Sequence, residues 1–326
     1  MLDIFNRREF SLVSLTSSIN LQPQTPGRLA RHFTKKGIRT TVAAIEEKNN
    51  RLSIIQSAAR GSQPNLTTKP KRVLRSFTIP HLPHDDQVLA ADVQDLRAFG
   101  SEDALMGINQ LIDEKSENLA ADHEATWEWH RAGAIQGIVF DADLSIIHNY
   151  FEEFRIPEVV ITIDSSQANS FRKGATAITR ALDDALGATM HGKIYAYCGD
   201  QFWDAFINDP QVTGPFDRWE HSTFETDDPR MSFKLWGIHW EEYRYKLGSR
   251  YFIPRDVCRI VVEGRNMFEH LSAPADIMKA VNTIGKPMYM MQDRMPMDKG
   301  INLHSQSNPL MLPRRPRSLI LSLIHI

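Results

Sequence analysis

Residues 69–130 read KPKRVLRSFTIPHLPHDDQVLAADVQDLRAFGSEDALMGINQLIDEKSENLAADHEATWEWH, and within them the chain changes both its periodicity and the sign of its charge. Val73, Arg75, Phe77 and Ile79 recur at every second position, the period of a strand with one face turned inward. After Gly100 the spacing lengthens. Leu105, Ile108, Ile112 and Leu119 recur at helical intervals, and Trp127 continues the stripe. Gly100 supplies a break, Ser101 suits a helix N-cap, and Glu102 and Asp103 place acid in the first turn, where the helix dipole favours it. The pattern predicts one helix over 101–130.

Charge follows the same boundary. Residues 48–84 hold seven Lys or Arg and no acid, whereas 85–128 hold twelve acids against only Arg97 and Lys115, a net charge of −10. The formal total of −2 hides this segregation and by itself gives no bias toward nucleic acid or an anionic membrane.

Upstream, residues 1–36 carry little periodicity and are broken by Pro23, Pro26 and Gly27, so they read as an arm lying on something else. From Gly37 the alternation of Ile38, Thr40 and Val42, a polar turn at 46–50 and an extended run at 52–58 give a hairpin signal. Gly61, Pro64 and Pro70 then deny regular structure until Val73. A long strand, a loose tip and a returning strand make a projecting basic flap. Downstream, IVFDADLSIIHNYFEEF (138–154) predicts a further hairpin, 167–186 a second helix, and KIYAYCGDQFWDAFIND (193–209) a strand, turn and short helix with Asp200 near the cap. Strands are expected in 231–240, 243–248 and 258–264, and extended crossing segments over 273–310. Helices and strands fall in separate blocks without a βαβ rhythm, which places the chain in the α+β class.

With 326 residues, 42% hydrophobic and 24% charged, the chain can bury a sizeable core in two or three compact regions. Cys198 and Cys258 lie far apart without metal-ligand spacing, so neither a disulfide framework nor a zinc site is expected, and a reducing intracellular setting fits. Arg7 and Arg8 precede SLVSLTSSI, a stretch too short and serine-rich for an export signal. No stretch reaches the length of a membrane-spanning helix. The closing LSLIHI (321–326) equals one reading frame of the mosaic-end adapter of transposase-based sequencing libraries, CTG TCT CTT ATA CAC ATC. Residues 321–326 are therefore expected to be foreign to the protein and frayed.

Chemistry is sparse. An apolar strand ending in Asp141-x-Asp143 resembles the start of haloacid-dehalogenase-type phosphohydrolases, in which the first carboxylate would attack phosphorus and the second shuttle the proton. Leu144 and Ser145 depart from that pattern, and two solvent-facing acids on a hairpin explain the same residues. HEATWEWH begins like a zinc-protease helix, but Trp127 stands where the second ligand belongs, and His130 is two turns from His123. His81 and His84 have no cluster to join. Phosphate-binding and nucleophile-elbow motifs are absent. No catalytic, cofactor or metal residue is assigned. The flap carries one aromatic, Phe77, too few for a single-strand platform. A basic flap beside an acidic helix suits self-complementary assembly instead, with Lys69, Lys71, Arg72 and Arg75 of one copy facing Asp113, Glu117 or Glu124 of the next.

SLTSSIN (14–20), GIRTTVAAIEE (37–47), ARGS (59–62), RSFTIPHLPHDDQVLAADVQDLRAFG (75–100), VNTIGKPMYM (281–290) and HSQSNPL (304–310) stand in an order that resembles the major capsid protein E family of tailed phages and prophages. The resemblance covers nearly the whole chain up to Ile320 and implies a Hong Kong 97-like capsid fold. Its parts would be an N-terminal arm (1–36), an extended β-hairpin loop (37–86), a peripheral domain (87–164) with a long spine helix (101–130), an axial domain (165–262) and return segments (263–320). It also implies a shell protein without enzymatic activity, forming pentamers and hexamers of an icosahedral shell around double-stranded DNA. Its partners would be copies of itself, with scaffold, decoration and portal proteins, and packaged DNA held by weak non-specific contact. Its place would be the virion capsid, assembled in the bacterial host cytoplasm.

Overall fold

The computed structural model describes residues 12–21, 27–47, 73–92, 103–187, 192–222, 233–264 and 267–325. Along the chain, helix α1 (Leu12–Leu21) leads to strands β1 (Phe33–Gly37), β2 (Val42–Glu47), β3 (Val73–Thr78) and β4 (Leu82–Leu89). The long helix α2 (Asp103–Gln136) is followed by β5 (Ile138–Phe140), β6 (Ile146–Asn149), the short helix α3 (Tyr150–Phe154) and β7 (Val159–Asp164). Next come α4 (Ser170–Leu186), β8 (Ile194–Cys198), α5 (Asp200–Ile207), α6 (Pro210–Ser222), β9 (Phe233–Leu235), β10 (Ile238–Glu242), β11 (Lys246–Leu247), β12 (Arg250–Tyr251) and β13 (Val257–Val262). The chain closes with β14 (Phe268–Ser272), β15 (Tyr289–Arg294), β16 (Gly300–Ser307), β17 (Pro309–Pro313) and β18 (Ile320–His325).

Helix α2 has 34 residues and is about 51 Å long. It runs past the predicted end at 130 because Ala132, Ala134 and Ile135 carry the buried stripe a further turn and a half. It stops at Gly137, whose φ of 88° is open to glycine and whose missing Cβ leaves room for the Phe151 ring. Positions 101 and 102, including the expected cap, lie outside the described residues.

The buried stripe of α2 faces a three-stranded antiparallel sheet ordered β15-β16-β4. His123 Nε2 meets Ser305 Oγ at 3.0 Å, Trp127 donates its indole N–H to Ser307 Oγ at 3.0 Å, and Lys115 pairs with Asp86 at 3.0 Å. A second sheet, β1-β14-β17, takes in the strand that ends the arm, with β1 parallel to β14. The hairpin expected over 138–154 forms, β5 pairing antiparallel with β6. β2 pairs antiparallel with β3 at the base of the expected flap, but residues 38–41, read as part of a strand, lie outside any strand, and Glu46 and Glu47, read as the start of a turn, belong to β2. Residues 48–72, the predicted flap tip, lie outside the described residues.

The largest sheet has six strands in the order β7-β18-β13-β8-β10-β9. It is mixed, with β10 parallel to β8 and β18 parallel to β7. One βαβ-like crossover, β8 through α5, α6 and β9 to β10, thus exists where the block pattern predicts none, and it has the helical length that a parallel connection needs. Helix α4 lays Phe171, Ile178 and Leu182 inward, and Phe206 of α5 stacks on Trp240 at 4.4 Å between ring centroids.

The closing strand overturns the expected fraying. β18 pairs with β13 on one side and β7 on the other, and Ile320, Leu321 and Ser322 are buried. A strand covered on both faces is apolar on both faces, and ILSLIH meets that requirement.

Candidate assembly surface and its anchors

The flap root is fixed from within its own chain. Phe77 is buried among His148, Tyr150 and Phe154, with ring centroids 5.5–5.9 Å away. His148 bonds the Thr78 carbonyl at 2.8 Å and the Glu153 carboxylate at 2.9 Å. Arg75 does not reach outward as expected. Its guanidinium donates to the Glu153 and Phe154 carbonyls at the end of α3 and lies 5.3 Å from the Phe154 ring centroid. Cations are favoured at a helix C-terminus, and Arg75 shares its strand face with inward-pointing Phe77. The opposite face is open, with Leu74 68% and Val42 42% exposed.

Glu124 is likewise a correction. Position 124 lies on the row of fours that begins at buried Ile112 and continues through Ser116 and Ala120, so its side chain points inward and is 5% exposed. It bonds Arg131 at 2.6 Å and has no surface to offer a neighbouring subunit. Asp113 and Glu117, in contrast, are exposed as expected. Lys69, Lys71 and Arg72 lie outside the described residues.

Sequence reasoning missed a buried polar centre around Glu128. One of its carboxylate oxygens accepts the Leu29 backbone N–H at 3.0 Å and the Tyr243 hydroxyl at 2.7 Å, while the other meets Arg131 at 3.1 Å. The arm, the long helix and the segment after β10 are thus joined at one carboxylate. Gly27 permits the approach, since a Cβ there would stand 1.9 Å from the Glu128 carboxyl carbon. Burial and the nearby Glu128 charge raise the Tyr243 pKa, keeping the phenol a donor. A second tie forms beside it: Arg31 reaches Glu241 and the Tyr197 hydroxyl, both at 2.7 Å, and His32 meets the same hydroxyl at 2.6 Å. Burial and then Arg31 push the His32 pKa down to about 3, so the ring is neutral. A sequence signal did exist, because Glu124, Glu128 and Arg131 extend the apolar stripe at spacings of four and three.

The remaining candidates serve structure. Asp141 and Asp143 accept the Ala142 and Ser145 backbone N–H groups at 2.7 and 2.9 Å, capping the β5–β6 turn rather than ending a parallel strand. His123 and His130 are buried. His81 meets Asn308, and His84 meets Asp122. Among the described residues no group of three or more His, Cys, Asp or Glu side chains could hold a metal ion, and no helix is long and apolar enough to cross a membrane.

A hairpin fastened at its root, a long helix on a three-stranded sheet and a separate six-stranded sheet define the class, the Hong Kong 97-like capsid fold. The putative capsid protein of an E. coli CFT073 prophage has this architecture, with a TM-score of 0.62 at 14% identity, covering 97% of this chain and 99% of that one. The capsid of cyanophage P-SCSP1u matches with a TM-score of 0.50 at 11% identity, over 94% and 90%. The family described as phage major capsid protein E matches residues 11–322, and the chain belongs to it. The major capsid protein of Pseudomonas phage KPP10 is 23% identical over 330 residues, 93% of each chain. The protein is a major capsid protein of a phage or prophage, a structural component of the virion capsid, and the phosphohydrolase alternative finds no support.

Proposed function

We propose that this capsid protein closes, as pentamers and hexamers, into an icosahedral shell around double-stranded DNA, assembling in the host cytoplasm with scaffold, decoration and portal proteins as further partners. In this reading the six-stranded sheet and its helices form the axial domain, which takes β7 and β18 from outside the expected 165–262, α2 is the spine helix, and the β2–β3 hairpin is the root of a loop that lies on the next subunit. The observation that carries it is the two-faced hairpin. One face is locked by Phe77 and Arg75, while the other leaves Leu74 and Val42 exposed. Lys69, Lys71 and Arg72 stand next to that face in sequence, and Asp113 and Glu117 are exposed on α2. Apolar contact supplies the affinity, and the opposed charges set the register. Many modest contacts in a closed symmetric shell are collectively hard to break.

The test is the triple variant Lys69→Glu, Lys71→Glu, Arg72→Glu. Folded subunits that no longer form shells are expected, with partial rescue when Asp113 and Glu117 are changed to Lys. Shell formation at the unaltered rate would sink the charge pairing.

A further inference from the structure

Cys198 and Cys258 are the chain's two cysteines, and the fold brings them together across 60 positions. Cys198 on β8 stands directly opposite Cys258 on antiparallel β13, both wholly buried, with their Sγ atoms 3.2 Å apart. The next pair along the ladder is the hydrogen-bonded one, since the Gly199 N–H donates to the Val257 carbonyl at 2.9 Å. The cysteines therefore occupy a non-hydrogen-bonded position, where Cα atoms stand about 4.5 Å apart, inside the range of roughly 4.4–6.8 Å that a disulfide spans.

We propose that Cys198 and Cys258 are a site of oxidative modification, a latent cross-strand disulfide that a small disulfide such as oxidised glutathione closes without rearranging the backbone. In the first step one cysteine thiolate attacks the glutathione disulfide, whose S–S bond breaks, giving a protein–glutathione mixed disulfide and one glutathione thiolate. In the second, the other cysteine loses its proton to solvent, attacks the protein sulfur and displaces the second glutathione. Two protein thiols are oxidised and one small disulfide is reduced to two thiols.

Burial sets the kinetics. The pair lies at the centre of the six-stranded sheet, and burial pushes the Cys198 thiol up, so closure waits on transient opening of the sheet or occurs during folding. Once closed, the bond turns residues 198–258, which carry α5, α6 and β9 to β12, into one covalent loop. A capsid that leaves a reducing cell for an oxidising medium meets the required oxidant, and the site is independent of the proposed flap contact.

The test incubates the purified protein with oxidised glutathione at a urea concentration at which iodoacetamide labelling shows both cysteines to be reached, followed by dilution from urea and intact-mass measurement. The expected product is two hydrogen atoms lighter and free of glutathione, with a peptide linking the two cysteines. Its melting temperature is raised by roughly 5 °C, and dithiothreitol reverses the change. The Cys258→Ala variant is expected to stop at the mixed disulfide. Two separate glutathione adducts, persistent free thiols, or a disulfide formed only with loss of the native circular dichroism would each overturn the proposal.

Discussion

Arg131 has no exposure to water and two carboxylates to neutralise, Glu124 at 2.6 Å and Glu128 at 3.1 Å. Without it the two acids would face each other in the core, and Glu128 would present an uncompensated charge to the Leu29 N–H and the Tyr243 hydroxyl. Arg131→Met is therefore expected to cost about 3–5 kcal/mol, measured as the shift in urea unfolding of the subunit. A cost below about 1 kcal/mol would mean that the charges are not held together as the distances indicate. Replacing all three with apolar residues of like volume is the informative companion, since a well-packed apolar set can match or exceed a buried ionic one.

Among the elements, the β2–β3 hairpin depends on one aromatic. Phe77→Ala removes the ring that packs against His148, Tyr150 and Phe154, and is expected to cost about 3 kcal/mol. The loss should be local, read as faster proteolysis at the hairpin root and failed assembly, with α2 still helical. Phe77→Leu should retain most of both. The alternation of Val73 to Ile79 made this strand legible, as the spacing from Ile112 to Trp127 did for α2, because one-sided burial imprints its period on sequence. The same periods also held the information that Arg75 and Glu124 point inward, but residue type masked it. A charged side chain reads as solvent-facing until its partner is known, and those partners, the α3 carbonyls and Arg131, lie in other elements or a turn or two away. The strand pairing of β18 was illegible for a similar reason. Its partners, β7 and β13, are distant in sequence, and nothing local distinguishes a buried closing strand from an apolar addition. The juxtaposition of Cys198 and Cys258 is likewise a property of sheet register alone.

At the scale of the whole molecule, buried neutral histidines sit where units meet: His32 between arm and six-stranded sheet, His123 and His130 along α2, and His270 on β14. Burial lowers all four, His123 and His130 to about 4, His32 to about 3 and His270 well below its ordinary value. With folded values below the unfolded one, the unfolded chain binds protons that the folded chain refuses. The stability these groups contribute is complete above an unfolded pKa of about 6.5 and falls with pH toward 4, by up to about 1.4 kcal/mol per histidine per pH unit. The urea midpoint is expected to drop between about pH 7.5 and about pH 5. A midpoint that stays flat across that interval would mean that these rings are not buried neutral.

The central claim is that the two-faced hairpin and the long helix serve contact between copies of one chain. Electron microscopy of the expressed protein tests it most directly, with a scaffold protein from the same phage or prophage supplied when the chain alone stays unassembled. Closed shells or tubes of regular capsomers are the expected result, with density for each hairpin continuing onto the long helix of the neighbouring subunit. Folded protein that stays monomeric at high concentration with scaffold present, or shells in which the hairpin folds back on its own subunit, would contradict it.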